Sequence, residues 1–187
     1  MTDTLTPTPD LAEDQGQWHE IDGGYEIRFE RRLRHSPQRV WAALTTPQGL
    51  ACWLAEAVID PRPGGHMDLN FRQPATEKFP DTPEVRRQAN EVLVFQPFTR
   101  FEHTFGGADS VVSWRLTPDG DGTCLTLIHR MPRDWESNIA NTLAGWHHHM
   151  EGLDDAARSA AHPWRWSRWT ALRDAYAAAV ERRQAQA

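Results

Sequence analysis

Between Asn138 and Ala160 the apolar residues Ile139, Leu143, Trp146, Met150, Leu153 and Ala157 recur at alternating spacings of four and three. That rhythm puts all six on one stripe of an α-helix. A continuous helix over this stretch would run about 34 Å at roughly 1.5 Å per residue, enough to cross the face of a sheet. A helix apolar on one side needs a layer to cover, and the residues before it supply one.

From Tyr25 the period changes to two. Tyr25, Ile27, Phe29 and Leu33 alternate with Glu26, Arg28, Glu30 and Arg32, which is a strand with one wet face. Ser36-Pro37 and Thr46-Pro47 each combine an N-cap residue with proline at the first helical position. They predict two short helices, carrying Val40, Trp41 and Leu44, then Leu50, Trp53 and Leu54. A strand follows near Ala57 to Asp60, and after the turn Pro61 to Gly65 another alternates Met67, Leu69 and Phe71 with polar residues. Arg72 to Glu84, with three prolines and several charges, reads as a mobile loop or the cover of an opening. Four more strands are expected at about Gln88 to Phe95, Arg100 to Phe105, Ser110 to Thr117 and Thr123 to Met131, joined by hairpin turns. Past the break at Ala161-His162-Pro163, the residues Trp169, Leu172, Tyr176 and Val180 mark a last amphipathic helix.

The chain of 187 residues is long enough for one domain with a substantial core. We expect a disordered tail over residues 1–17, the domain over 18–160 and a helical extension over 161–187. The extension either packs on its own domain or forms a homodimer contact. A formal charge of -6, with basic residues dispersed among acids, argues against nucleic acid as a partner. Cys52 and Cys124 show neither a disulfide framework nor zinc spacing. No stretch approaches the roughly 18 apolar residues of a membrane span, so membrane insertion is not expected and a cytoplasmic protein is.

The element order, together with Arg39-Val40-Trp41-Ala42-Ala43-Leu44-Thr45, Gly120 to Thr123 before the segment LTLIHR, and the segment GWHHHMEGL, resembles the SRPBCC superfamily. More narrowly, it is similar to homologues of the activator of heat shock protein 90 ATPase. The resemblance spans about Gly24 to Ala160 and extends to the Trp169 to Tyr176 segment. It implies an α+β helix-grip fold: a seven-stranded curved antiparallel sheet wrapped around a long C-terminal helix, with two short helices after the first strand and often a cavity between sheet and helix. Lipid and polyketide binders, cyclases, hydrolases and co-chaperones share this architecture, so the fold leaves activity open.

Read literally, the alternation aims His103, Trp114, Leu127 and His129 inward, with His103 and His129 each opposite Val112. Two strands apart, the histidines stand about 10 Å from one another, too far for a shared zinc ion without a third ligand. Each is either a ligand contact or a core histidine satisfied by hydrogen bonds. In the run His147-His148-His149, successive side chains diverge by about 100° and cannot converge on one ion. His149 or His147 is expected to border the cavity, with His148 solvated. Indoles need hydrogen-bond partners when buried, and several such donors around a cleft would orient a planar ligand. The expected ligand-binding set is Trp53, Met67, Phe71, His103, Trp114, Leu127, His129, Trp146, His149 and Met150, with no catalytic residue assigned and neither metal nor cofactor expected. Ser110 and Ser113 have no evident base, and no phosphate loop or nucleophile elbow is present. The reading is a binder of a small apolar or aromatic molecule. The alternatives are an enzyme of cyclase or hydrolase type using His103 or His129 as acid or base, and a co-chaperone-like interaction protein.

Overall fold

Trp18 and Ile21 stand three apart, with no period of two, and nothing in their spacing announces a strand. The computed structural model, which describes residues 14–186, nevertheless has β1 (Gln17–Ile21) paired antiparallel with β2 (Gly24–Leu33). The tail expected over residues 1–17 lies, up to residue 13, outside the described residues. β1 is held by packing: the Trp18 ring lies 6.4 Å from that of Tyr25 and beneath the Arg183 guanidinium at 4.6 Å. The sheet accordingly has eight strands, where alternation alone reads seven.

Two short helices follow as the Ser-Pro and Thr-Pro steps predict, α1 (Pro37–Thr45) and α2 (Pro47–Trp53). Thr46 caps α2 by accepting from the Gly49 amide at 3.0 Å, whereas Ser36 makes no side-chain cap bond to α1. The chain continues through β3 (Glu56–Ile59), β4 (His66–Asn70), the short helix α3 (Pro83–Arg86), β5 (Arg87–Gln96), β6 (Arg100–Thr104), β7 (Val111–Asp119) and β8 (Gly122–Pro132). The spatial order is β1-β2-β8-β7-β6-β5-β4-β3, with neighbours antiparallel. A register shift between Val92 and Val94 bends β5, as bulges do, and helps curve the open sheet.

On the concave face lies α4 (Ile139–Glu151), reached through a 3-10 turn at Arg133–Asn138. All six stripe residues are buried, from Leu143 and Leu153 at 0 % to Ala157 at 7 % exposure. The helix is nonetheless not continuous. It stops at Glu151, pauses at Gly152 and resumes as α5 (Leu153–Ala157), so its first rigid piece is about 20 Å long. The break falls at a glycine against which two other segments crowd: a Cβ on Gly152 would sit 2.7 Å from the His162 Cβ and 3.0 Å from the Trp53 Cβ.

The last helix, α6 (Trp166–Gln184), packs along α4 and buries Leu172 and Tyr176. The Tyr176 hydroxyl accepts from the Gly16 amide and pairs with His147 Nδ1, both at 2.8 Å. The extension thus packs on its own chain, and it covers the outer side of α4. No described helix is long and apolar enough to cross a membrane.

The crowding at Gly152 predicts that Gly152→Ala destabilises the fold by about 1–3 kcal/mol despite alanine's better helix propensity. Urea unfolding checks this; an unchanged or raised midpoint would mean that the His162 segment yields freely.

Candidate functional site

Burying an indole is economical only if its N–H finds an acceptor, and that requirement organises the middle of the sheet. Trp114 of β7 donates to His103 Nε2 at 3.3 Å, Trp146 of α4 donates to His129 Nδ1 at 3.0 Å, and Trp53 of α2 donates to the Ala43 carbonyl at 2.9 Å. The three indoles also stack edge to face, Trp53 on Trp114 at 5.7 Å and Trp114 on Trp146 at 5.5 Å. Together they fill the space beneath the middle of α4.

These bonds also settle the protons. His129 Nδ1 accepts from Trp146, so the neutral ring carries its hydrogen on Nε2 and donates to Ser110 Oγ at 2.7 Å. The pair has the spacing of a serine nucleophile and its base, a contact that sequence reasoning missed, but its polarity is reversed. In a working triad the third group accepts from the imidazole, whereas here it donates. His103 is held likewise, with Nδ1 donating to the Thr104 carbonyl at 2.8 Å and Nε2 accepting from Trp114. Desolvation is the main cause that pushes His103 down to about 4 and His129 to about 3, with His103 adding to the effect at His129.

The open space lies to one side. A cavity of about 360 Å³ sits between the first half of α4 and the segment 71–86, with Phe105 and His129 as its floor. Phe71, Phe79, Val85, Trp135 and Trp146 make most of the wall, and Gln73, Gln88, Asn141, Thr142, Gly145 and His149 complete it. The described lining residues include no acid, lysine or arginine, and burial drives His149 to about 4, so the lining is uncharged at neutral pH. An outer groove bearing Trp164, Trp166 and Trp169 shares Gln73, Phe79 and Asn141 with the cavity and forms its approach. The segment 71–86 is fastened over the space by Trp166, whose N–H donates to the Pro74 carbonyl at 2.7 Å, and by the Phe79 ring 5.5 Å from Trp166.

Of the residues expected to bind a ligand, Phe71, His129, Trp146 and His149 line this cavity. Trp53 borders a smaller neighbouring recess, together with His149. Met67, His103, Trp114 and Leu127 are core residues away from the wall, and Met150 borders a separate depression beside Arg31 and Asp154. Alternation identifies which residues point inward but not where inward is hollow. Gln73, Phe79 and Val85 were missed because the segment 71–86 carries no periodic signal, and Gln88 because it is a polar residue at the start of an expected strand.

His148 corrects an expectation. It is buried at 1 % exposure, because the segment ahead of α6 lies over it: the Arg165 amide donates to its Nε2 at 2.9 Å and Trp164 stacks at 4.5 Å. His148, Glu151 and His162 place ligand-type atoms within 4.8 Å of one another. Hydrogen bonds account for His148 and Glu151, while His162 bonds Asp155 through Nδ1 at 3.0 Å and keeps a buried Nε2 without a partner among the described residues. His148 Nδ1 carries the proton and faces Glu151 at 3.1 Å, while Arg168 grips the other carboxylate oxygen. The histidine and arginine bonds outweigh the burial of Glu151 and hold its carboxyl down at about 2.

His103, His129, His147 and His149 all protonate well below the ordinary histidine range, mainly because they are buried. The unfolded chain takes up these protons near pH 6.5, so between pH 6.5 and about 4 the unfolded state binds more protons than the folded one. Stability is therefore full above pH 6.5 and falls as the pH drops toward 4. At pH 5, unfolding should take up between about three and four protons. Urea titrations across this range measure that slope, and a flat profile from pH 7 to 5 would contradict the buried neutral rings.

A crystal structure of CalU16 from Micromonospora echinospora is 23 % identical, covering 89 % of this chain and 97 % of that one, with a TM-score of 0.67. A conserved protein of unknown function, EF2215 from Enterococcus faecalis, is 15 % identical over 89 % and 91 % of the two chains, at 0.69. The product of BPP1335 from Bordetella parapertussis is 26 % identical over 91 % and 94 %, at 0.63. No functionally curated protein shows significant similarity to the chain. The model of the family described as activator of Hsp90 ATPase homolog 1-like protein matches residues 34–158, and the chain belongs to that family, with the helix-grip fold of the SRPBCC superfamily.

Proposed function

We propose that this protein binds a small, uncharged aromatic or apolar molecule in the cavity between α4 and the segment 71–86. The observation that carries the reading is Gly145. It stands in the middle of α4, where glycine costs about 1 kcal/mol relative to alanine. No packing contact demands it: a Cβ there would meet no atom within 4 Å. What the missing side chain preserves is empty volume, because Gly145 lines the cavity.

The space of about 360 Å³ falls within the roughly 300–1,000 Å³ of small-molecule sites, and its wall is aromatic. The uncharged lining favours a neutral guest, since an ion would lose its hydration without gaining a countercharge. An acid–base enzyme is less well supported: His129 has both ring nitrogens engaged within the protein, and His103 lies off the cavity. A partner-binding role has little apolar surface to use, since Val58, Leu93 and Phe98 are the large hydrophobics exposed among the described residues.

Two substitutions at one position test the proposal. Gly145→Ala should stabilise the protein by about 0.5–1 kcal/mol, and Gly145→Leu should fold but fill the cavity. Native mass spectrometry of protein from its own source should show a small bound molecule that is lost in Gly145→Leu. A ligand retained by Gly145→Leu, or a Gly145→Ala variant destabilised by a clash, would overturn the assignment.

A further inference from the structure

We infer that Phe79 is the gate of the cavity: guests pass between the tryptophan groove and the interior when the turn that carries Phe79 swings away from Trp166. The inference rests on the cavity reading above and assigns the route by which that site fills and empties.

Three residues, Gln73, Phe79 and Asn141, line both the cavity and the groove and so form the partition between them. Asn141 belongs to α4. Gln73 is buried and held, its backbone carbonyl accepting from Arg86 and its side-chain nitrogen lying 3.4 Å from His149 Nε2. Phe79 alone of the three sits between elements, in the stretch that separates β4 from α3. It is the part of the partition that is free to move.

The chain around Phe79 is built as a small flap. Thr76 and Phe79 exchange N–H to carbonyl bonds at 3.0 and 3.1 Å, and the Phe79 amide also donates to Thr76 Oγ1 at 3.0 Å. A turn closed on itself in this way moves as a unit. Pro74 and Pro80 bracket it, and neither has an amide hydrogen with which to tie the flap to a neighbour. Arg86, itself buried, fixes the root on both sides: it donates to the carbonyls of Phe71 and Gln73, and its Nε lies 3.2 Å from an Asp81 carboxylate oxygen. Residues 74–80 therefore hang from a pinned base.

What closes the flap is slight by comparison. Among the described residues, a single hydrogen bond joins residues 74–80 to the rest of the fold, from the Trp166 N–H to the Pro74 carbonyl at 2.7 Å. The Phe79 ring adds an edge contact to Trp166 at 5.5 Å and lies under the Arg86 guanidinium at 4.8 Å. Pro74, Thr76, Glu77 and Lys78 are exposed, so the flap can swing outward without unpacking the core. Local opening against so few contacts is the low-cost motion through which covered sites exchange their guests.

Stopped-flow exchange of N-phenyl-1-naphthylamine, a neutral probe that fluoresces in apolar surroundings, tests this on the full chain. Trp166→Phe keeps the ring contact and removes the clasp. Association and dissociation rates should both rise about fivefold, the share of one hydrogen bond, with Kd held within about twofold. The rates rise together because the flap closes the empty and the loaded cavity alike. Phe79→Ala should raise the dissociation rate by at least as much, and it carries the test if Trp166→Phe does not fold. Rates unchanged in both variants overturn the gate, since guests then enter elsewhere. Faster dissociation with unchanged association in Trp166→Phe also overturns it, since Trp166 then touches the guest; either result leaves the cavity reading intact. Failure of the wild type to bind the probe, or binding unchanged in Gly145→Leu, overturns the cavity reading and this one with it.

Discussion

An indole N–H on the middle of α4 points at an imidazole nitrogen on β8, and the rest of the molecule is arranged around that bond. Buried away from water, the Trp146 N–H must have an acceptor, and His129 Nδ1 is the one in reach. Meeting that need forces the ring's hydrogen to the other nitrogen, from which it reaches Ser110 at the entry to β7. Helix, β8 and β7 are thus linked through one neutral histidine. A parallel link joins Trp114 to His103 on the neighbouring strands. Charging either ring would break a donated bond, so these histidines are most useful to the fold when they cannot titrate near neutral pH.

Filling the centre with indoles has a geometric consequence. Trp53, Trp114 and Trp146 occupy the gap under the middle of the helix, and beside them a cavity survives where the segment 71–86 arches over α4. Because the same indoles spend their donors on each other's histidines and on backbone, the cavity wall is poor in free indole N–H groups. What it presents instead is mostly aromatic surface. Gly145 keeps that volume open from the helix side, and the Trp166 bond to Pro74 keeps it covered from the other.

The C-terminal helix governs what the outside of α4 experiences. With α6 and the segment before it in place, His148 is enclosed, Glu151 is gripped by Arg168, and Tyr176 ties α4 to residue Gly16 near the start of β1. The same segment contributes the tryptophans of the groove leading to the cavity. A region that adds little to the central core therefore shapes the access route and the stability of the helix that forms its wall.

Periodicity alone determined the parts of this fold in which each residue's role depends on its near neighbours. The six-residue stripe of the helix, the two proline-started helices, seven of the eight strands and the register that sets His103 and His129 each opposite Val112 are all written locally. Contacts between distant segments decided the rest. Position 152 admits only glycine because His162 and Trp53 press on it, His148 is buried because the segment before α6 lies over it, and β1 is anchored where Trp18 meets Tyr25 and Arg183. The cavity belongs to this second class. Alternation tells a side chain which way to point, but a hollow is the volume left over when every side chain has been placed, and only the assembled structure specifies it.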